Sequence, residues 1–232
     1  LGDVYKRQKQ ADDSTKLQLF GAIAGSSPSG ADYAAAIKPL VGDDPIVTLA
    51  GMAQFRGLKG VDGTDVPRTL LAGAKVLSDK SVPLPKDKFF RESFDEHAGA
   101  SLLPGTPQRE QAYLAFKSLY AGTAAAKGLK YDEGDDLDSK TSQAAFDMAT
   151  GGVAERAGAR VIKPYNMNDD DFNKSVDMQI EGMAKNSKIP VSQLEDMPLS
   201  PVPGKEGSYY LMNAGRVQID PDTKQPMMVI VK

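Results

Sequence analysis

Apolar residues recur three and four positions apart through most of the first half of the chain, the spacing that gathers them on one face of an α-helix. Leu17, Phe20, Gly21 and Ala24 form the first such stripe, which ends in the breaker Gly25-Ser26-Ser27-Pro28. Ser29 with Asp32 three residues later resembles a capping box, and it opens a helix through Tyr33, Ala36, Ile37 and Leu40. Asp43 or Asp44 caps a third helix, whose expected buried face is Ile46, Leu49, Met52 and Phe55 before Gly57. Asp65, with Pro67 just inside the helix start, opens a fourth that carries Leu70, Leu71, Ala74 and Leu77.

Beyond the Pro-rich link Ser81–Pro85, a longer amphipathic helix carries Phe89, Phe90, Phe94 and His97 and fades at Gly99. Thr106-Pro107 then opens the helix expected to form the core, with Ala112, Ala115, Phe116, Leu119, Tyr120 and Ala124 on one stripe and Gly128 as its stop. The acidic, turn-rich stretch Tyr131–Asp138 marks a boundary. A helix over Ser139–Thr150 follows, ending at Gly151-Gly152. Val153-Ala154-Glu155 against Arg160-Val161-Ile162 reads as a hairpin turning at Ala157-Gly158. Asn168–Asp171 caps a helix through Phe172, Val176, Ile180 and Met183, and the acidic first turn complements the positive helix end. Tyr209–Met212, Arg216–Ile219 and Met227–Val231 read as a three-stranded meander. The expected fold is therefore mainly α with a smaller C-terminal α+β part: short helices around a longer central one, then a hairpin and a small antiparallel meander. The expected division is a non-native or disordered segment over 1–12, a helical domain over 13–130 and a small α+β domain over 131–232. The start, Leu1-Gly2-Asp3-Val4-Tyr5-Lys6-Arg7-Gln8, has no initiator Met and resembles a translated cloning or sequencing adaptor, which would make the chain the C-terminal remainder of a longer protein.

Composition narrows the function classes. With 41% hydrophobic residues among 232, the chain can build a real core. Its 28 basic and 31 acidic residues nearly balance, so it lacks the clustered Lys and Arg excess that phosphate neutralisation requires of a dedicated nucleic-acid binder. No apolar run approaches the roughly 18 residues of a membrane span. The absence of cysteine removes disulfides, thiolate metal sites and Cys nucleophiles. With no Trp and many Ala and Gly, helix contacts are expected to be close and made by small residues.

The candidate chemistry is thin. His97 is the single histidine, so a Ser-His-Asp triad would have to be built around it, and Phe94-Asp95-Glu96-His97 contains no nucleophile elbow. Glu92-Ser93 matches the helical Glu-Ser pair in which lytic transglycosylases place a general acid. The Gly-Leu-Met-Gln-like turn that should follow is replaced by Gly99-Ala100-Ser101-Leu102, so Glu92 stands as the alternative to a chain with no catalytic residue. Asp132, Glu133, Asp135, Asp136 and Asp138 form one acidic cluster and Asp169, Asp170 and Asp171 another. The first fits no EF-hand register, which leaves a solvated loop as the main reading and Asp132, Asp135, Asp136 and Asp138 as alternative cation ligands. The second is explained by helix capping. No Gly-x-Gly-x-x-Gly or Gly-Lys-Ser/Thr occurs, and no nucleotide or other cofactor is expected.

One ordered set of segments carries a resemblance. Leu102-Leu103-Pro104-Gly105-Thr106-Pro107 opens a helix with Ala112-Tyr113, then come Tyr120-Ala121, Gly128, Asp138-Ser139, Ala144-Ala145 and Thr150-Gly151-Gly152-Val153. Gly158, Val161-Ile162-Lys163-Pro164-Tyr165, the Phe172 helix, Gly207-Ser208-Tyr209-Tyr210-Leu211, Gly215, Asp220-Pro221 and Thr223 complete it. From about Lys16 to the end, this order resembles the C-terminal region of internal virion or tail-associated ejection proteins of tailed bacteriophages, which often carry a lytic transglycosylase domain elsewhere in the chain. The resemblance implies a structural, non-catalytic role in the virion, with other virion subunits or further copies of the chain as partners and delivery into the host envelope during DNA ejection. No transglycosylase motif residue is carried over to this sequence. Degenerate peptidoglycan cleavage or peptidoglycan binding is the alternative, and the terminal meander is where a neighbouring subunit is expected to pair.

Overall fold

The computed structural model describes residues 13–26 and 29–231. The adaptor-like opening, the 1–12 segment and the Ser27-Pro28 part of the first breaker lie outside them. The fold is mainly α with a small antiparallel region toward the C-terminus, as the patterning predicts. The chain divides into two compact units: one takes it to Asp95 and again from Pro107 to Ala149, the other holds Glu96–Thr106 and Thr150 onward.

The first unit contains α1 (Asp13–Ser26), α2 (Gly30–Val41), α3 (Pro45–Phe55), α4 (Val66–Ser78), α5 (Asp87–Ala98, to Asp95), α6 (Pro107–Ala126) and α7 (Ser139–Thr150, to Ala149). Their starts follow the expected chemistry. Ser29 Oγ accepts from Asp32 N at 3.2 Å, the N-cap half of a capping box, and donates to Asp32 Oδ2 at 2.7 Å, so the carboxylate meets the Ser29 hydroxyl. Asp44, rather than Asp43, caps α3 by accepting from Ile46 N and Val47 N, and Asp65 caps α4 through Arg68 N.

The expected buried face of α3 needs correction. Ala50, Gly51 and Ala53 are the buried residues, while Ile46, Leu49, Met52 and Phe55 are half-buried. A Cβ added at Gly51 would sit 2.8 Å from Ile37 Cδ1, so this glycine sets the close approach of α2 and α3, while Val47, Met52 and Phe55 pack, half-buried, against Phe20, Tyr33 and Ile37. Phe55 stacks on Tyr33 with ring centroids 4.7 Å apart.

α6 is central, and its buried surface is wider than the expected stripe. Tyr113, Ser118, Ala121 and Gly122 are buried along with Ala115, Phe116, Leu119, Tyr120 and Ala124. Glycines set its distance from α4. A Cβ at Gly73 would lie 1.7 Å from Ser118 O, and one at Gly122 would lie 2.5 Å from Thr69 O. Backbone therefore meets backbone at this crossing, and Ser118 Oγ donates to Leu70 O at 2.8 Å across it. On the other side of α6, Phe94 of α5 packs among Tyr113, Phe116 and Phe146 at centroid distances of 5.5, 5.5 and 5.7 Å. Such ring pairs contribute roughly 0.5–1.5 kcal/mol beyond the area they bury.

The second unit is built from the hairpin β1 (Val153–Arg156) and β2 (Ala159–Ile162), α8 (Asp169–Ser187), the short α9 (Val191–Glu195) and a four-stranded antiparallel sheet. Ala157 and Gly158 turn the hairpin with φ of 50° and 70°, the mirror-image turn that suits strand twist, and Val153 pairs with Ile162 and Arg156 with Ala159. The expected three-stranded meander gains a strand: β3 (Leu199–Pro201), β4 (Ser208–Asn213), β5 (Arg216–Val217) and β6 (Met228–Ile230). β4 is central, with β3 on one side through Leu199↔Leu211 and Pro201↔Tyr209. Its other side pairs with β6 over Ser208–Tyr210 and with β5 at Met212 and Asn213. α8 lays Phe172, Val176 and Ile180 into one core with Leu194, Leu199, Tyr209, Leu211, Met227 and Val229.

Candidate functional site

α5 starts from alternating demands. Phe90 and Phe94, four apart, are fully buried, and the helix repeat then carries Glu92 to the opposite face. Glu92 is exposed, with no hydrogen bond or ion pair to any described residue. Ser93 does not join it: Ser93 Oγ lies 2.5 Å from Ser142 Oγ of α7, a half-buried contact between helices. The Glu-Ser pair is thus divided between solvent and packing, and nothing encloses Glu92 as a general acid needs to be enclosed. His97, at the C-terminal end of the same helix, is half-buried in the second unit.

The acidic stretch after Tyr131 is held by its own backbone. Asp132 N donates to Asp135 Oδ2 at 2.7 Å and Asp135 N to Asp132 O at 3.1 Å. Asp138 caps α7, accepting from Thr141 N at 2.8 Å, and hydrogen bonding with the Thr141 side chain and then its amide holds the carboxyl below its ordinary value. The Asp138 amide donates to Tyr120 Oη, which in turn shares a short hydrogen bond with Tyr131 Oη. The loop is thereby tied to the central helix. Asp136 is exposed, Glu133 pairs with Lys86 at 3.5 Å, and no group of three or more His, Asp or Glu side chains among the described residues is placed to hold a metal ion. Asp169, Asp170 and Asp171 fill the first turn of α8 behind Asn168, whose Oδ1 accepts from Asp171 N at 2.8 Å.

The densest polar constellation was not marked by any motif. Asp87 Oδ1 accepts from Tyr113 Oη at 2.7 Å and Lys117 Nζ at 2.6 Å, and Asp87 Oδ2 faces Arg91 at 3.7 Å. Arg91 lies 3.5 Å over the Tyr113 ring and donates to both oxygens of Glu110 at 2.9 and 3.1 Å. Burial pushes the Asp87 carboxyl up, but the hydrogen bonds from Lys117 and Tyr113 and the charges of Lys117 and Arg91 outweigh it, leaving the group below its ordinary value. All five side chains are partnered within α5 and α6, so the cluster staples two helices. The signal that could have found it is the repeat of charged and aromatic residues at helical spacing on both segments, Asp87/Arg91 and Glu110/Tyr113/Lys117.

In the second unit, Arg156 reaches Asp177 of α8 at 2.6 Å, and Arg160 Nη1 donates to Glu96 O at 2.9 Å, closing the carbonyl end of α5. The face of α8 turned from its core carries Asp171, Lys174, Met178, Glu181 and Lys185, all exposed, with Met178 at 60% the most exposed large apolar side chain of that helix. No described helix is long and apolar enough to cross a membrane. No family model, no curated protein and no solved structure matches this chain.

Proposed function

We propose that this chain is a structural region of a tailed-bacteriophage virion protein, at work in particle assembly and genome ejection rather than in catalysis. Its partners are other virion subunits or further copies of the chain, its place is the virion, and entry into the host cell envelope accompanies ejection. Two things support the reading: the order of segments that resembles the C-terminal region of such proteins carries its virion part, and the use to which the fold puts its reactive side chains carries its non-catalytic part. Asp44, Asp65, Asp138 and Asn168 cap helices, Asp87 and Arg91 join α5 to α6, Arg160 closes the end of α5, and Glu92 faces solvent. Chemistry arranged in this way stiffens a scaffold.

A turbidity assay on purified cell walls is the direct test. The expected result is no clearing by the chain; clearing that disappears in Glu92→Gln would replace this reading with a degenerate peptidoglycan lyase. Co-sedimentation with the same walls, without clearing, would point instead to a binding module. Mass spectrometry of purified particles supplies the positive arm, since the reading requires that peptides of this region be found in them.

A further inference from the structure

We propose that the exposed face of α8 is a self-complementary contact through which two copies of the chain pair antiparallel about a two-fold axis near Met178. At about 3.6 residues per turn, Asp171, Lys174, Glu181, Gly182 and Lys185 all lie within roughly 60° of Met178 around the helix. The buried residues Phe172, Val176, Ile180 and Ser187 occupy the opposite side. The stripe is therefore one continuous surface. Its charges run minus, plus, neutral, minus, plus from Asp171 through Lys174, Met178 and Glu181 to Lys185. Reversed about Met178, the same order reads plus, minus, neutral, plus, minus.

An antiparallel copy therefore sets each charge against its opposite. Asp171 and Lys185 are each seven residues from Met178, and Lys174 and Glu181 are four and three residues from it, a mismatch of about 1.5 Å along the axis. Met178 meets Met178 of the second copy at the centre, burying a side chain that is 60% exposed in the single chain. Gly182 adds room beside it, because a Cβ there would touch nothing within 4 Å. Lys174, Glu181 and Lys185 form no ion pair with any described residue, so pairing breaks no existing contact of theirs. A shallow groove of about 460 Å³, lined by Glu181, Ala184, Lys185, Ile189 and Val191, borders the stripe and extends its apolar area.

The sheet edges are poorer places for the same contact. β3 is three residues long and includes Pro201, which has no N–H to donate, and β5 is two residues long. One helix face buries less than a standard interface, so the pair is weak and concentration-dependent in dilute solution, and strengthened where many copies are held together. Its biological meaning rests on the assembly reading above; the contact itself rests on α8.

Sedimentation equilibrium of the whole chain over the micromolar to submillimolar range tests it, with circular dichroism to verify that each variant is folded. Wild type is expected to show a monomer–dimer equilibrium. Lys174→Glu and Glu181→Lys are each expected to weaken it roughly tenfold or more, because each places two like-charged contacts across the axis. Mixing the two variants is expected to restore association, since one then carries two negative positions and the other two positive ones. A wild type that stays monomeric, single variants that associate as wild type does, or a mixture that fails to recover would each overturn the pairing. A monomeric wild type found nonetheless in purified particles sinks the pairing and leaves the assembly reading standing; absence from particles with normal pairing does the reverse.

Discussion

At Gly73 and Gly122 the missing side chain is the structural feature. Gly73→Ala drives a methyl into the Ser118 carbonyl, and neither backbone can yield without moving a helix. We expect a loss of about 3 kcal/mol or more in urea unfolding, at the upper end of overpacking costs. Asp87 makes a pH prediction. Its folded-state carboxyl is held below the ordinary value of 3.8, so its contribution is fully present above that pH and is lost as the pH falls through the folded value. The urea midpoint of wild type should therefore drop on going from neutral to strongly acid solution, and the drop should be smaller in Asp87→Asn. Tyrosines respond at the other end of the scale. Burial pushes Tyr33 up to about 12 and raises Tyr113, Tyr120, Tyr131 and Tyr209 as well. Of the eight tyrosines, these five should ionise only above the ordinary pH for a tyrosine in a spectrophotometric titration, Tyr209 with the second unit and the other four with the first. A smooth titration of all eight near the ordinary value would contradict the burial of these five rings.

Among elements, the starts of helices were legible because a cap is a local transaction between a side chain and amides two or three residues away. Asn168→Ala tests this on α8: loss of the hydrogen bond to Asp171 N should cost about 1 kcal/mol, seen as a lower unfolding midpoint, while Asn168→Asp should retain most of the stability. The same locality explains the hairpin, whose turn needs two left-handed residues and finds them at Ala157 and Gly158. β3 was not legible. Leu199-Ser200-Pro201 is flanked by Pro198 and Val202-Pro203, and it is extended because β4 supplies its hydrogen bonds, among them Met212 N to Pro198 O at 2.9 Å and Val202 N to Ser208 O at 2.8 Å. The buried face of α3 was misread for a related reason: hydrophobicity ranks Ile46 and Leu49 above Ala50 and Gly51, but the spacing of neighbouring helices is what decides which side turns inward.

For the whole molecule, the two units should differ in how they tolerate loss of the C-terminal strands. Residues after Gly207 supply Tyr209, Leu211, Met227, Val229 and Val231 to the core of the second unit and nothing to the core seam of α4 and α6. Truncation after Gly207 is therefore expected to expose the second unit to limited proteolysis while the helical unit stays resistant; equal sensitivity of both would mean that the units do not fold separately. Little of the candidate chemistry was fixed by motif. Glu92 and the acidic stretch were named by residue type; the Asp138 cap and the Asp132–Asp135 hydrogen bonds are local, but the exposure of Glu92 and the tie of the loop to Tyr120 depend on neighbours far along the chain. The sequence by itself determined the helical class, the caps, the hairpin and the charge order along α8, because each is written in residues within a turn or two of one another. Only the tertiary structure decided the glycine crossing of α4 and α6, the Asp87 cluster and the fourth strand. Each of these arises where segments remote in sequence meet, and which atoms meet is set by packing the whole core at once.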